Sequence, residues 1–240
     1  MTEKIYLSDA FANENEATVE SANENGIILD RTVFYARGGG QPGDSGYLFL
    51  DGKKIEIKDT IKEGEEVIHI PTSTDHMLKN GDKVKCQLDW DKRYAHMKYH
   101  TAIHLIDAVV NMNPGYQGLI TGSQIYEDRS RVDFSMEDLS TDLAISILEK
   151  ANEEIRKKRE VVVKYLTRDE ALSLPNLART KPGRELINSL EIVRVVEIAG
   201  LDQQADGGTH VRNLSDIGEI KFSKMENKGK NNKRVYFTVS

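Results

Sequence analysis

Helical periodicity first appears in the stretch Arg93-Tyr-Ala-His-Met-Lys-Tyr-His-Thr-Ala-Ile-His104, and this stretch decides how the chain is organised. Apolar residues continue at helical spacing to about Asn111, whereas the preceding part of the chain is dominated by short β-type patterns. The spacing predicts a helix over residues 91–111. On such a helix His100 and His104 share one face, about 5–6 Å apart at Cβ, so both can reach one metal ion.

A second histidine segment, Asp206-Gly-Gly-Thr-His210, lies far along the chain from the helix. Its two glycines permit close backbone approach and positive φ. Zinc accepts imidazole nitrogen and carboxylate oxygen, so His210 with either Asp206 or a water would complete a shell with the helical pair. The alternatives are a tight turn before a strand for this segment and a polar helix edge for the pair.

The first ninety residues predict a small β-barrel or sandwich. Asp51-Gly52 is a two-residue turn that favours a type I′ hairpin between the strands on either side. Short apolar patterns bounded by turn residues predict six strands, at Gly26–Leu29, Thr32–Tyr35, Gly46–Leu50, Lys53–Lys58, Glu66–Ile70 and Lys83–Leu88.

The remainder predicts a larger α+β domain. Thr167-Arg-Asp-Glu170 has the pattern of a capping box that opens a short helix. The other expected elements are a hairpin at 122–126 and 131–134, a helix at 136–159, strands at 161–166 and 192–198, and a hairpin within 217–238. The fold class is therefore α+β, with a barrel-like domain over residues 1–90 and a second domain over residues 91–240.

Composition limits the class of protein. The 240 residues carry one cysteine and a net charge of −6, which argues against broad, unspecific nucleic-acid affinity but permits a local basic patch. The chain has neither a signal-peptide pattern nor an apolar run of about 20 residues, so we expect a cytoplasmic protein that does not enter the membrane. Cys86 is expected to be a small packed side chain rather than a nucleophile.

Two basic segments are candidates for phosphate contact. Arg156-Lys-Lys-Arg159 is more typical of a solvated helix end, where cations favour the helix dipole. Lys228-Gly-Lys-Asn-Asn-Lys-Arg234 has the glycine and asparagine content of a hairpin loop, and it is compatible with a solvated turn or with phosphate contact.

A third unusual segment is Arg37-Gly-Gly-Gly-Gln-Pro-Gly-Asp-Ser-Gly46. Glycines let backbone N–H groups approach a phosphate or a chain end. The segment lacks the Lys-Ser/Thr ending of a P-loop, and its physical chemistry alone favours a structural loop between strands.

Five segments, taken in order, resemble the editing region of alanyl-tRNA synthetases and of free-standing alanyl-tRNA editing proteins of the medium-length AlaX type. They span residues 35–235, which leaves no room for an ATP-binding synthetase domain. The segments are Tyr35-Ala-Arg-Gly-Gly-Gly-Gln-Pro-Gly-Asp-Ser-Gly46, His100-Thr-Ala-Ile-His104-Leu, Gly122-Ser123 with Arg131-Val-Asp-Phe-Ser135, Asp206-Gly-Gly-Thr-His210-Val and Lys228-Gly-Lys-Asn-Asn-Lys-Arg-Val235.

The resemblance implies an ATP-independent hydrolase for translation fidelity, which deacylates tRNA(Ala) mischarged with serine, with glycine as the second candidate. It implies zinc held by His100, His104 and His210, with Asp206 or water in the fourth position. Near the tRNA 3′ end it places Gly38, Gly39, Gly40 and Gln41. The cations expected to contact tRNA phosphates are Arg93, Lys228, Lys230, Lys233 and Arg234.

Two positions depart from the family's pattern. Asp206 stands where the family often has cysteine, and a carboxylate is a harder ligand than a thiolate. Ile103 stands where the synthetases commonly have threonine, so a hydroxyl for the substrate side chain would come from Thr101 or Thr209. His96, one turn before His100, is expected at the solvent or core edge, with support of a ligand or proton transfer as the alternative.

Two other functions stay open at this point. The histidines could hold a structural zinc in a non-catalytic tRNA-binding module, or the chain could be a zinc hydrolase of small esters. The sequence is compatible with a monomer or a homodimer.

Overall fold

The computed structural model describes residues 1–113, 115–116, 118–174, 177 and 181–240. Within these residues, fifteen strands and five α-helices follow one another, with a short 3-10 helix at Leu214–Ile217. In order they are β1 Glu3–Lys4, α1 Ile5–Ser8, β2 Glu14–Asn23, β3 Gly26–Leu29, β4 Arg31–Thr32, β5 Gly46–Leu50, β6 Lys53–Glu63, β7 Glu66–Pro71, β8 Lys83–Leu88, α2 Trp90–Met112, β9 Ile120–Ile125, β10 Ser130–Phe134, α3 Thr141–Arg156, β11 Val161–Thr167, α4 Arg168–Ser173, α5 Lys181–Ser189, β12 Ile192–Ile198, β13 Asp202–Ala205, β14 Ile220–Gly229 and β15 Asn232–Val239.

The contacts divide the chain into two compact units. Unit 1 comprises Met1–Met97 and Ile125–Glu127, and unit 2 comprises Lys98–Gln124 and Asp128–Ser240. The predicted domain limits, 1–90 and 91–240, stay a proposal.

Unit 1 is built on a closed antiparallel barrel with the strand order β2-β3-β7-β6-β5-β8. Alternating apolar residues point into it, as a strand with a two-residue period requires, and its centre holds Leu29, Leu48 and Ile57. The predicted hairpin is confirmed: Leu50 pairs with Lys53, and Asp51 and Gly52 both have positive φ, at 48° and 79°. The predicted barrel-like fold is thus observed.

The strand predictions for unit 1 differ from the structure most at β2 and at residues 32–35. Strand β2 was missed because its sequence is mostly polar and only Ala17 and Val19 are buried in it. Conversely, the strand predicted at 32–35 ends at Thr32. Val33 and Phe34 are buried without being part of a strand, so their burial explains the apolar run that suggested one.

Unit 2 contains a four-stranded sheet with the order β14-β15-β10-β9. Helix α3 packs on β14, and Ala144, Ile147 and Leu148 are among its buried residues. This helix begins at Thr141, after the N-cap Ser140 whose side chain accepts from Leu143 N–H, rather than at the predicted residue 136. The predicted C-terminal hairpin is present as β14 and β15.

A second sheet of unit 2 has the order β11-β12-β13 and is antiparallel throughout. The predicted capping box is confirmed, since Thr167 accepts from Glu170 N–H and the Glu170 side chain accepts from Thr167 N–H. Val193 and Val195 of β12 pack with Ala171 of α4 in a small core. In the part of the chain that the structure describes, no helix is both long and apolar enough to cross a membrane.

Candidate metal centre

Helix α2 carries the first two candidate ligands, His100 and His104, in unit 2. Both are nearly buried, with 3% and 7% of their surface exposed. Their ring centroids lie 5.0 Å apart, as the four-residue spacing predicts. The helix also buries neighbours such as Leu105 and Ile106, so both imidazoles are fixed by packing on one surface of a buried helix.

The segment 206–210, which follows β13, contains the other two candidate ligands, Asp206 and His210. The chain is anchored by Arg194 of β12, whose guanidinium donates to the carbonyl oxygen of Asp206 at 2.7 Å and whose carbonyl accepts from Asp206 N–H at 3.2 Å. A Cβ on Gly208 would overlap the His100 imidazole and come within 2.9 Å of Asp206 Oδ2. Close approach therefore explains Gly208, whereas the positive φ that the sequence suggested is not observed at either glycine.

The four side chains converge. Asp206 Oδ1 lies 3.7 Å from His100 Nε2 and 3.9 Å from His104 Nε2, and Asp206 Oδ2 lies 3.0 Å from His210 Nε2. One ligand atom from each of the four residues lies within 4.8 Å of the others. Tetrahedral zinc with bonds of about 2.0–2.2 Å holds its ligands about 3.4 Å apart, so small side-chain shifts would fit this set to the ion.

The pKa shifts of His100, His210 and Asp206 favour the binding of a cation. Burial lowers the pKa of His100, and burial together with the charge of His100 holds the pKa of His210 well below its ordinary value. Burial alone would raise the pKa of Asp206, but the neighbouring His100 and His210 outweigh it and hold that pKa well below the ordinary value. These directions favour neutral His100 and His210 beside an ionised Asp206 at pH 7, which are the protonation states that metal binding requires.

Thr101 supports His210. Its hydroxyl oxygen accepts from Val211 N–H at 3.2 Å and lies 3.2 Å from His210 Nδ1. With Nδ1 donating to this oxygen, the Nε2 lone pair of His210 points at the cluster. Thr101 and Thr209 have no exposed surface, so neither is placed to meet a substrate side chain, contrary to the expectation from sequence. Ile103 is also buried, at 6% exposed.

The glycine-rich segment belongs to unit 1. Gly38 and Gln41 exchange two backbone hydrogen bonds, of 3.1 and 2.9 Å, around Gly39 and Gly40, both of which have positive φ. This is a two-residue turn whose two positive φ angles glycine adopts without strain. Gln41 is 1% exposed and the three glycines lie at or near the surface. Their place near the tRNA 3′ end stays a prediction.

The structure contradicts the prediction that Arg93 contacts a tRNA phosphate. It is completely buried in unit 1, paired with Asp44 and donating to the carbonyl oxygens of Ala10 and Val33. Asp44 also accepts from Tyr35 N–H at 2.6 Å. A buried guanidinium with these acceptors cannot reach a phosphate, and its role is to hold the start of α2 to the segment after β4.

His96 and Cys86 are both buried in unit 1. His96 is 7% exposed, burial lowers its pKa, and its Nδ1 has no hydrogen-bond partner among the described residues. Its functional role stays a prediction. Cys86 belongs to the barrel core, and burial raises the pKa of its thiol to about 12, which agrees with a packed, unreactive side chain.

The four hairpin cations lie on β14, β15 and the turn between them. Lys230 is the most exposed, at 77% of its side chain, and is 3.2 Å from Glu137. Lys228 pairs with Glu226 at 2.9 Å, and Lys233 donates to Asn227 Oδ1 at 3.0 Å. Arg234 makes two hydrogen bonds, of 2.7 and 3.0 Å, to Asp133. All four are in unit 2.

Sequence reasoning missed Arg194 and Thr101 as supports of the cluster. Arg194 lies inside an apolar strand, where a lone arginine is a signal of a buried partner, but nothing in the sequence identifies the carbonyl of Asp206 as that partner.

Two known families match the chain. Residues 3–92 match the class II (A) tRNA synthetases, and residues 193–236 match the second additional domain of threonyl and alanyl tRNA synthetases.

Curated relatives match all or nearly all of this chain. The alanyl-tRNA editing protein AlaX-M of Saccharolobus solfataricus is 41% identical over 242 residues, covering 100% of this chain and 99% of that protein. The AlaX-M of Methanosarcina barkeri is 41% identical over 245 residues, with 100% and 99% covered. The alanine–tRNA ligase of Metallosphaera sedula is 34% identical over 226 residues, which cover 94% of this chain and 25% of the ligase.

Proposed function

The chain belongs to the family of alanyl-tRNA editing proteins, and we propose that its substrates are seryl-tRNA(Ala) and, second, glycyl-tRNA(Ala). It is an aminoacyl-tRNA deacylase, a carboxylic ester hydrolase that acts in trans on mischarged tRNA(Ala). Its substrate forms where tRNA is charged, so we expect it in the cytoplasm.

The convergence of His100, His104, His210 and Asp206 within 4.8 Å carries the assignment of the reacting centre. Three imidazoles and a carboxylate are a zinc donor set, and we assign Asp206 to the position that a thiolate often fills in the family. When bound, zinc would supply Lewis acidity to polarise the ester carbonyl or to acidify a water.

The chain's own residues prepare this centre. In the proposed tautomer, Thr101 Oγ1 accepts a hydrogen bond from His210 Nδ1–H, which leaves the Nε2 lone pair for a ligand bond. Arg194 fixes the backbone of Asp206, and Gly208 lets that backbone lie against His100. The burial of the imidazoles lowers the local dielectric, which strengthens the electrostatic interactions within the cluster.

The preference for serine has a physical reason. A synthetase pocket that accepts alanine cannot strongly reject a side chain that only adds a hydroxyl, whereas a site that hydrogen-bonds the hydroxyl rejects alanine far better. Because Thr101 and Thr209 are buried, we expect this hydroxyl to meet a polar group other than these two threonines.

The test is single-turnover deacylation of labelled seryl-tRNA(Ala) and alanyl-tRNA(Ala) by the wild type and by His104→Ala. We expect rapid loss of serine, slow loss of alanine, and loss of both metal and activity in the variant. Glycyl-tRNA(Ala) is assayed in parallel, and the metal is identified by elemental analysis of protein purified without added metal.

Each negative result of this assay would favour a different alternative function. Bound zinc with no deacylation would favour a tRNA-binding module, and equal hydrolysis of free aminoacyl esters would favour a small-ester hydrolase. Lys→Ala changes at Lys228, Lys230 and Lys233 should weaken tRNA binding and flatten its salt dependence, and an unchanged slope would remove those contacts from the proposal.

A further inference from the structure

The four-stranded sheet of unit 2 is strongly basic although the protein is acidic. Its strands and the β14–β15 turn carry seven lysines and arginines against two carboxylates, whereas the whole chain has a net charge of −6. The seven are Arg131, Lys221, Lys224, Lys228, Lys230, Lys233 and Arg234. Positive charge is therefore concentrated on one element rather than spread over the surface.

Strand register places most of this charge on one face of the sheet. Asp133 of β10 lies opposite Arg234 of β15, which in turn lies opposite Glu226 of β14. The alternate residues, among them Val132 and Val235, are buried on the other face. Because side chains alternate along a strand, the charged residues share the face that points away from the core.

Two three-residue clusters with the same charge lie on this face. Asp133 is held by Arg131 and, through two hydrogen bonds of 2.7 and 3.0 Å, by Arg234. Glu226 is held by Lys224 at 2.6 Å and Lys228 at 2.9 Å. Each cluster has two cations around one carboxylate and so retains one net positive charge.

Both carboxylates stay ionised, so the clusters stay together at any physiological pH. Hydrogen bonds from Lys224 and Lys228 lower the pKa of Glu226 to about 2. Burial would raise the pKa of Asp133, but hydrogen bonds from Arg234 and Arg131 outweigh it and lower that pKa. The carboxylates thus hold the cations in place, which reduces the entropy lost when an anion binds.

Gly122 of β9 lies beside the Asp133 cluster. A Cβ built on it would meet Asp133 Oδ2 at 3.5 Å, an ordinary contact, and its φ is not in the positive range that favours glycine. Neither strain nor crowding therefore explains the missing side chain. A glycine inside a strand often marks a place where another backbone approaches closely.

We propose that this face, which we call the basic sheet face and define by Gly122, Arg131, Lys224, Lys228 and Arg234, binds the sugar–phosphate backbone of the tRNA substrate. The inference rests on the proposed function and adds to it the surface that holds the body of the tRNA. Each cluster offers two positioned cations to phosphate oxygens, and the missing side chain at Gly122 leaves the surface beside the Asp133 cluster open to an approaching backbone.

The face fits RNA better than a protein or a lipid surface. None of the large exposed apolar side chains of the described residues lies on β9, β10, β14 or β15, and the structure describes all four strands completely. A protein partner or a membrane would need such side chains to bury, whereas phosphate recognition needs only positioned cations and backbone access.

The test measures the dissociation constant of uncharged tRNA(Ala) between about 50 and 200 mM salt, the range over which phosphate contacts change affinity strongly. The double variant Lys224→Ala/Lys228→Ala should bind more weakly, with the salt slope reduced by about one for each lysine removed. Its KM for seryl-tRNA(Ala) should rise in parallel.

A matched control removes two lysines of similar exposure from unit 1. Lys62 and Lys85 are 45% and 51% exposed, and each is paired with a glutamate. Lys62→Ala/Lys85→Ala changes the net charge equally and should leave the slope as in the wild type. Equal slopes for the two double variants would mean a general charge effect and would overturn the proposal.

A second variant tests the face without removing charge. Gly122→Leu covers the Asp133 cluster, and it should weaken tRNA binding at least about tenfold, which is the loss of roughly one good phosphate contact. Gly122→Ala adds only a methyl in ordinary contact and should bind much better than Gly122→Leu. Wild-type affinity in Gly122→Leu would overturn the proposal, whereas a wild type that neither binds nor deacylates tRNA would overturn the proposed function itself.

Discussion

Two buried polar clusters, one in each unit, share residue types but differ in how their hydrogen bonds are satisfied. In unit 1, His69 Nδ1 lies 2.9 Å from the carbonyl oxygen of Ile27 and its Nε2 lies 2.8 Å from Thr32 Oγ1. The tautomer with a proton on Nδ1 therefore satisfies both nitrogens, one as donor and one as acceptor. Arg93 in the same unit is likewise matched to Asp44 and two carbonyls.

In unit 2, by contrast, three imidazole nitrogens face one carboxylate. His100 and His104 direct Nε2 toward Asp206 Oδ1, and His210 directs Nε2 toward Asp206 Oδ2. The two contacts of Asp206 Oδ1 are too long for hydrogen bonds, yet one ligand atom from each of the four residues lies close enough to the others to share one cation. Buried histidine is thus structural where each ring nitrogen has its own hydrogen-bond partner, and it indicates a cation where several ring nitrogens converge on one carboxylate.

The sharpest way to break this comparison is to remove one histidine from each cluster. His104→Ala should lose stoichiometric metal and reduce kcat/KM at least about 100-fold, since even the loss of a residue behind a ligand costs 10–100-fold. His69→Gln should keep its metal and its deacylation rate per folded molecule. Metal analysis beside single-turnover kinetics decides, and metal retention in His104→Ala would contradict the assignment.

The ion pair of unit 1 should matter for stability only. Arg93→Met leaves Asp44 buried without its cation and should lower the free energy of unfolding by about 3–5 kcal/mol. The control is Arg31→Met, because Arg31 makes an exposed pair with Glu3 at 3.3 Å and should cost less than about 1 kcal/mol. Urea unfolding measures both, and similar losses would show that the burial of Arg93 is unimportant.

The two threonines that contact histidines give a finer test. Thr101→Val removes the acceptor for His210 Nδ1–H and should weaken metal affinity about 10–100-fold, with recovery in Thr101→Ser. Thr32→Val, which removes the partner of His69 Nε2, should leave metal affinity unchanged. Competition with a chromogenic chelator measures the affinities, and equal effects of the two valines would contradict the distinction.

The smallest effect concerns pH. Burial lowers the pKa of His69 from 6.5 to about 4, so the folded protein does not protonate it at pH 5 whereas the unfolded chain does. Stability from this site is therefore complete above pH 6.5 and falls as pH drops toward 4, by about 2 kcal/mol at pH 5.

The variant His69→Gln cannot titrate and should lose less stability between pH 7 and pH 5 than the wild type. Urea unfolding at the two pH values measures the difference. Parallel losses in the two proteins would show that His69 is not the titrating group.

The sequence by itself determined the element types and the metal-binding residue types. Helical spacing predicted α2 and the shared face of His100 and His104, the Asp51-Gly52 turn predicted a hairpin, and Thr167-Arg-Asp-Glu170 predicted a capped helix. These features depend on residues only a few positions apart, so local geometry suffices to predict them. Strand β2 was not predicted, because its mostly polar sequence shows little two-residue periodicity of apolar residues.

Only the tertiary structure decided which residues meet. Arginine is a residue type that often contacts phosphates. Arg93 is nevertheless buried, because the fold places Asp44, 49 positions away, beside it. The Thr101 hydroxyl is of a type that could contact a substrate, yet it contacts His210, 109 positions away. Such pairings depend on how strands and helices pack across the whole chain, and no local pattern encodes the partner of a buried polar group.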